Sequence, residues 1–315
     1  MKIRQLVDKY VDYRKALGAK FRDAGYQLRA FCRLVGDGAD IDRVQADQVN
    51  AFIIGREGHS MSYRASKYGT LRVFYDYAIS SGYVAAAPLP AERPRVVRSF
   101  EAYIYSVDEL KKILKENASY GRKLKLEPQT MHCMLLLLYG TGLRIGEALT
   151  LNLADLDISN RVIIVRDTKF FKSRLVPVGN QLHGVLERYL IRRREVGHSQ
   201  DADSPLFVTR AGTSPHILMV ENAFRRLCIR AGVKRPDGSS FQPRLHDLRH
   251  TFAVHRLTSW YREGTNVQNL LPHLATYLGH VDLSSTQVYL KMTPELLQAA
   301  SLRFERYAIE EGLHE

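Results

Sequence analysis

Apolar residues recur three and four positions apart through the N-terminal quarter of the chain, the spacing of a buried helical face. Segments near 3–17, 23–35, 44–57 and 62–80 fit this period. It is plainest where Tyr68, Leu71, Phe74 and Tyr75 are followed one turn later by Ile79. Gly36 and Gly38 mark a turn, and Asp47 ahead of Val49, Phe52 and Ile53 marks a helix start. Pro88, Pro90 and Pro94 then break the pattern and favour an extended connector. Periodicity resumes at Ser106, which forms a capping box with Glu109. Residues 129–139 are apolar enough to be a buried helix, closed by Gly140 and Gly142. Two β-like runs, 161–165 and 175–178, flank a loop from Thr168 to Arg174. Around 244–252, Leu245, Leu248 and Phe252 face a core. Ser284 and Gln287 fit a capping box that puts Tyr289 in the second turn of a helix, and a last amphipathic helix runs from Pro294 to Tyr307. The predicted fold is mainly α with a small β-sheet: a helical domain at 1–87, a basic linker at 88–104 and a mixed α/β domain at 105–315.

Charge changes this picture most. Lys and Arg number 46 against 33 Asp and Glu, a net charge of +13. Such an excess suits a polyanionic partner, without choosing among DNA, RNA and an anionic membrane, or a basic protein that binds none of them. The chain up to Arg95 holds sixteen Lys/Arg and ten Asp/Glu, so about half of the excess lies there. The longest strongly apolar uncharged run, Met134 to Leu138, falls far short of the ~20 residues that cross a bilayer. No apolar segment follows the charged first residues, so a cytoplasmic protein is expected. Cys32, Cys133 and Cys228 lie far apart among apolar neighbours, which predicts buried free thiols and neither a disulfide framework nor a zinc site.

Candidate chemistry is thinly spread. Arg144 stands amid core residues and needs a partner, since an unpaired buried charge is expensive. Glu147, three residues on, supplies one, either as a structural ion pair or to orient the arginine toward a ligand. Lys169, Lys172 and Arg174 crowd one loop, as a finger offered to phosphate or as solvated cations. His246 and Arg249 lie i,i+3 on one helical face and offer two donors to one phosphate, whereas His250 is expected to face elsewhere. Arg64, Lys67 and Arg72 on one helix, Arg93 and Arg95 in the linker, and Arg262 read as phosphate contacts, which become DNA contacts if the partner is DNA, or as solvated basic surface. Clustered metal-ligand spacing is missing, so no metal and no cofactor is expected.

Taken in order, six residues resemble the tyrosine recombinases, the family of phage integrases and bacterial Xer-type recombinases. They are Arg144 in Gly-Leu-Arg-x-x-Glu, Lys169 eight residues before Pro177, His246 and Arg249 in His-x-x-Arg, His280 in Leu-Gly-His, and Tyr289 nine residues after it. The likeness covers residues 105–305; residues 1–87 resemble the family's SAM-like core-binding domain more loosely. It implies a tyrosine recombinase catalytic domain and site-specific recombination through a covalent 3′-phosphotyrosyl intermediate. Tyr289 is then the nucleophile, Arg144 and Arg249 hold the non-bridging oxygens, and Lys169 protonates the leaving 5′-oxygen. His280 aligns the phosphate and His246 shares in proton transfer. It further implies double-stranded DNA clamped between the domains, a homotetramer in the synaptic complex with a monomer when free, and partner recombinases or accessory proteins in some systems. The nearest rivals are a type IB topoisomerase and a DNA-binding regulator with idle catalytic residues. The stretch from Thr258 to His273 lengthens the interval between His-x-x-Arg and Leu-Gly-His, which favours a mobile-element recombinase. Its Trp260, Tyr261 and Arg262 read either as DNA or subunit contacts or as part of a longer helical hairpin.

Overall fold

The computed structural model describes residues 1–315 apart from 20, 97–101, 121–125, 167–172, 237–241, 281, 292–295, 299 and 303–315. The described residues divide into two compact units, one within residues 1–99 and one from residue 100 onward.

The first unit is built from α1 (Ile3–Ala16), α2 (Arg22–Val35), α3 (Ala46–Ile54) and α4 (Met61–Ser80). Each helix gives one apolar face to a common core that includes Leu6, Tyr10, Phe31, Phe52, Leu71 and Phe74. Gln48 caps the start of α3 by accepting from the Gln45 amide at 3.0 Å, and Asp47 sits inside the first turn. Ser60 caps α4 by accepting from the Tyr63 amide at 3.2 Å. The residues predicted as a connector are anchored at both ends. Leu89 packs on the first core, and Tyr68 donates its hydroxyl to the Pro90 carbonyl. At the other end Tyr103 packs on the core of the second unit, where Tyr105 is fully buried just ahead of α5 (Val107–Tyr120).

In that second unit α5 is followed by α6 (Pro128–Thr141) and the short α7 (Ile145–Leu149). A three-stranded antiparallel sheet comes next: β1 (Leu156–Asp157), β2 (Val162–Val165) and β3 (Arg174–Pro177), paired in that order. In the register, Leu156 faces Ile163 and Ile163 faces Val176. β1 escaped the sequence pattern because two residues carry no alternation. The remaining helices are α8 (Asn180–Glu195), α9 (Ile217–Arg230), α10 (Asp247–Arg262), α11 (Val267–Leu278) and α12 (Ser284–Gln287), the last running into a 3₁₀ turn at Val288–Lys291. The main core gathers α5, α6, α9 and the sheet, with Met134, Leu137, Ile163, Val176 and Phe224 at its centre. A second cluster joins α10 to α11 through Leu257, Val267, Leu271 and Leu278.

The lengthened Thr258–His273 stretch is a helical hairpin. It is the end of α10, a turn at Gly264 and the start of α11, with Trp260 and Tyr261 packed against the α10–α11 cluster. The last predicted helix, Pro294 to Tyr307, lies largely outside the described residues; within it Leu296 is buried in the same cluster. Cys32, Cys133 and Cys228 are free and buried, and burial raises all three thiol pKa values. No helix among the described residues is long and apolar enough to cross a membrane.

Candidate active site

Three helix ends meet at the start of α10. The first is the C-terminus of α6, where Gly142 takes the left-handed φ of +63° that closes the helix. The second is the C-terminus of α11, closed in the same way by Gly279 at φ +70°. The third is the N-terminus of α10 itself, where Asp247 accepts from the Arg244 backbone and guanidinium, both at 2.9 Å.

Arg249 ties these ends together. It is 3 % exposed, and its two terminal nitrogens donate to the Gly142 carbonyl at 2.7 Å and the Leu278 carbonyl at 2.8 Å. One buried guanidinium thus fixes the residues just before Arg144 and just before His280. Burial lowers the Arg249 pKa, nearby Arg144 lowers it further, and Tyr289 opposes both; at about 10 it stays charged at neutral pH.

Arg144 caps α7. Its backbone amide and its Nη1 donate to the two Glu147 carboxylate oxygens at 3.0 and 2.9 Å, and its side chain remains 42 % exposed. Glu147 also receives Arg174, Nη2 at 2.8 Å and Nη1 at 3.1 Å. Burial alone opposes ionisation of Glu147, but the Arg174 and Arg144 bonds outweigh it and hold the carboxyl at about 2. Arg174, read from the sequence as a DNA contact, is therefore turned inward. Its third bond goes to the Tyr277 carbonyl at 3.1 Å, and Gly279 leaves the space for its guanidinium.

The aromatic half of the site comes from α10, α11 and the 3₁₀ turn. His280 is fixed by a 2.6 Å hydrogen bond between its Nδ1 and the buried Thr286 hydroxyl. Its ring lies 6.0 Å from that of Tyr289, nearly parallel at 23°. Tyr289 is 3 % exposed and lies within electrostatic reach of the Arg249 guanidinium. The short α12 that runs into the 3₁₀ turn is led by Asp282, whose carboxylate accepts from the Ser285 amide at 2.9 Å and from the Ser284 and Ser285 hydroxyls. Asp282 thus takes the capping role expected of Ser284.

His250 does not face elsewhere. Its ring centroid is 5.5 Å from that of Tyr289 and 5.3 Å from that of His246, both edge-to-face. The signal was present in the sequence, since His246 and His250 are i,i+4 and share a helical face. Burial lowers the pKa of all three imidazoles, with help from neighbouring cations: His250 and His280 fall to about 4, and His246 moves the same way. Neutral imidazoles, two guanidiniums and the positive end of a sixteen-residue helix make a pocket suited to one anionic group and to proton exchange beside a phenol.

Of the six residues singled out from sequence, Arg144, His246, Arg249, His280 and Tyr289 fall in this cluster, while Lys169 lies outside the described residues. So does Lys172 among the proposed DNA contacts. Arg72, Arg93, Arg95 and Arg262 are exposed, and Arg64 is half-buried. Lys67 is not a surface cation. It is 5 % exposed, donates to the Phe52 carbonyl at 2.8 Å and lies over the Phe52 and Tyr63 rings.

Residues 105–295 match the model of the phage integrase family. The chain is 35% identical over 306 residues to y4rB of Sinorhizobium fredii, named an integrase/recombinase, covering 96% of this chain and 97% of that one. It is 28% identical over 277 residues to tyrosine recombinase XerC of Thermodesulfovibrio yellowstonii, covering 85% and 86%. Among solved structures, the fold matches the Tn1549 transposon integrase in complex with a circular intermediate DNA, with a TM-score of 0.70 at 20% identity over 98% of this chain and 100% of that one. It also matches a lambda integrase dimer bound to a COC′ core site, with a TM-score of 0.64 at 16% identity over 93% and 97%.

Proposed function

This chain belongs to the phage integrase family, the tyrosine recombinases, and from that premise we propose that it recombines the ends of a mobile DNA element through Tyr289. It is a site-specific DNA recombinase; the residue roles and the biological setting are our reading. The observation that carries the roles is the Arg249 tie, which holds the ends that carry Arg144 and His280 at the start of α10, where the Tyr289 ring lies beside those of His250 and His280.

In this reading the Tyr289 oxygen attacks a backbone phosphorus, forming a 3′-phosphotyrosyl bond as the bond to the 5′-oxygen breaks. The phosphodiester energy is kept in the covalent link, so a second 5′-hydroxyl can reverse the step on another strand. Arg144 and Arg249 stabilise the negative charge that grows on the non-bridging oxygens. Lys169 donates the proton to the departing 5′-oxygen. His280, held by Thr286, hydrogen-bonds the phosphate, and His246 shares in proton transfer. Glu147 and Arg174 act behind these groups by fixing the direction of Arg144.

Residues 1–87 and 105–315 serve as core-binding and catalytic domains on duplex DNA, with Arg64, Arg72, Arg93, Arg95, Lys172 and Arg262 on its phosphates. Exchange between two duplexes proceeds in a homotetramer, in the cytoplasm on nucleoid DNA, with accessory proteins where the element encodes them. The mobile-element setting is supported by the near full-length likeness to an integrase/recombinase at higher identity than to a XerC, and by the lengthened α10–α11 hairpin.

The test uses plasmids with two, one or no copies of the junction sequence of the element that carries the gene. Resolution or inversion confined to two-site plasmids supports the reading. Relaxation of supercoils on plasmids without sites, with no recombinant product, replaces it with a type IB topoisomerase.

A further inference from the structure

The phenol of Tyr289 lies within electrostatic reach of the Arg249 guanidinium. Both terminal nitrogens of that guanidinium are engaged by the Gly142 and Leu278 carbonyls. A phosphate oxygen that takes up the remaining donor capacity of Arg249 leaves none for the tyrosine hydroxyl. The nucleophile then needs another partner to aim it at phosphorus.

His250 stands where that partner is needed. Its ring meets the Tyr289 ring at 5.5 Å and 65° on one side, and the His246 ring at 5.3 Å and 82° on the other. Its Nδ1 is buried and has no hydrogen-bond partner. A phenyl ring would fill the same space and bury no unpaired nitrogen, so packing alone does not account for an imidazole here. The charged and titratable groups that face it are His246, Asp247, Arg244 and Arg249, together with Tyr289. Burial and this cationic majority keep the ring neutral, and a neutral imidazole offers one nitrogen as an acceptor.

We propose that His250 positions the nucleophile: when a DNA phosphate occupies Arg249, the Tyr289 hydroxyl donates to the imidazole of His250. No covalent bond changes in this step. It sets the angle from which Tyr289 attacks, and it rests on the reading of Tyr289 as the nucleophile.

The experiment compares wild type, Tyr289→Phe, His250→Phe and His250→Asn in single-turnover formation of a covalent adduct on nicked element-end duplexes. DNA affinity and melting temperature are measured alongside. Wild type that forms no Tyr289-dependent adduct overturns the underlying reading and this inference with it. Given that adduct, His250→Phe keeps the ring and loses the nitrogen. It is expected to bind DNA within about twofold of wild type and to form the adduct at least about tenfold more slowly, the scale of one lost orienting hydrogen bond. His250→Asn returns a polar atom near the Nδ1 position and is expected to recover at least about threefold over His250→Phe. A wild-type rate in His250→Phe overturns the proposal, as does a His250→Asn variant no faster than His250→Phe. Should His250→Phe melt below the assay temperature, His250→Asn decides alone: a rate within about tenfold of wild type sustains the proposal and a slower one overturns it.

Discussion

At the residue scale, burial has opposite uses in the two units. In the second it keeps His250 and His280 neutral, with pKa values near 4 against an ordinary 6.5. Between those values the unfolded chain binds protons that the folded chain refuses. The stability these groups contribute is therefore complete above about pH 6.5 and drains as pH falls toward 4. After discounting for partial exposure, the loss from pH 7.5 to 5 is on the order of 1–2 kcal/mol, a fall in Tm of several degrees. Thermal melts at the two pH values should show it, and His250→Phe should narrow the gap. In the first unit, burial turns Lys67 from an expected DNA contact into a structural donor. Its pKa is lowered by burial and then by Arg64, and its ammonium satisfies the Phe52 carbonyl. Lys67→Ala should destabilise the protein by about 1–3 kcal/mol in urea unfolding. At temperatures where the variant stays folded, its DNA affinity should match wild type. A weaker affinity with unchanged stability would return Lys67 to the DNA surface.

At the element scale, the site depends on how two helices stop. Gly142 ends α6 at φ +63°, and a Cβ there would lie 2.6 Å from Phe252 and 2.7 Å from Leu278. Gly142→Ala combines left-handed strain with crowding, and should cost at least about 2 kcal/mol in denaturant unfolding. It should also reduce strand cleavage below wild type at a temperature where both proteins are folded, since the Gly142 carbonyl anchors Arg249. The helices themselves were legible in sequence. α4 declared itself through Tyr68, Leu71, Phe74 and Tyr75, and both glycine stops after α6 and α11 stood at the ends of apolar runs. Long-range pairing was not legible. Nothing local tells that Arg174 crosses 27 positions to share Glu147 with Arg144, because that bond depends on β3 lying beside the α11 end. The same holds for Lys67, whose carbonyl partner belongs to another helix. His250 is the exception, readable from its i,i+4 spacing to His246 once the helix is placed.

At the scale of the whole molecule, each unit buries a core of its own, and the net charge of +13 is left for a polyanion. Charge alone names no reaction. What does is the order of Arg144, His246, Arg249, His280 and Tyr289 along the chain and their meeting at one helix start. The central claim is that Tyr289 becomes covalently joined to DNA at particular sites. The most direct measurement is denaturing-gel detection of a protein–DNA adduct, wild type against Tyr289→Phe, on nicked duplexes from the element ends and on scrambled duplexes of the same length. The account predicts an adduct with wild type on the element-end duplexes, none on the scrambled ones and none with Tyr289→Phe. An adduct that persists undiminished in Tyr289→Phe would contradict it.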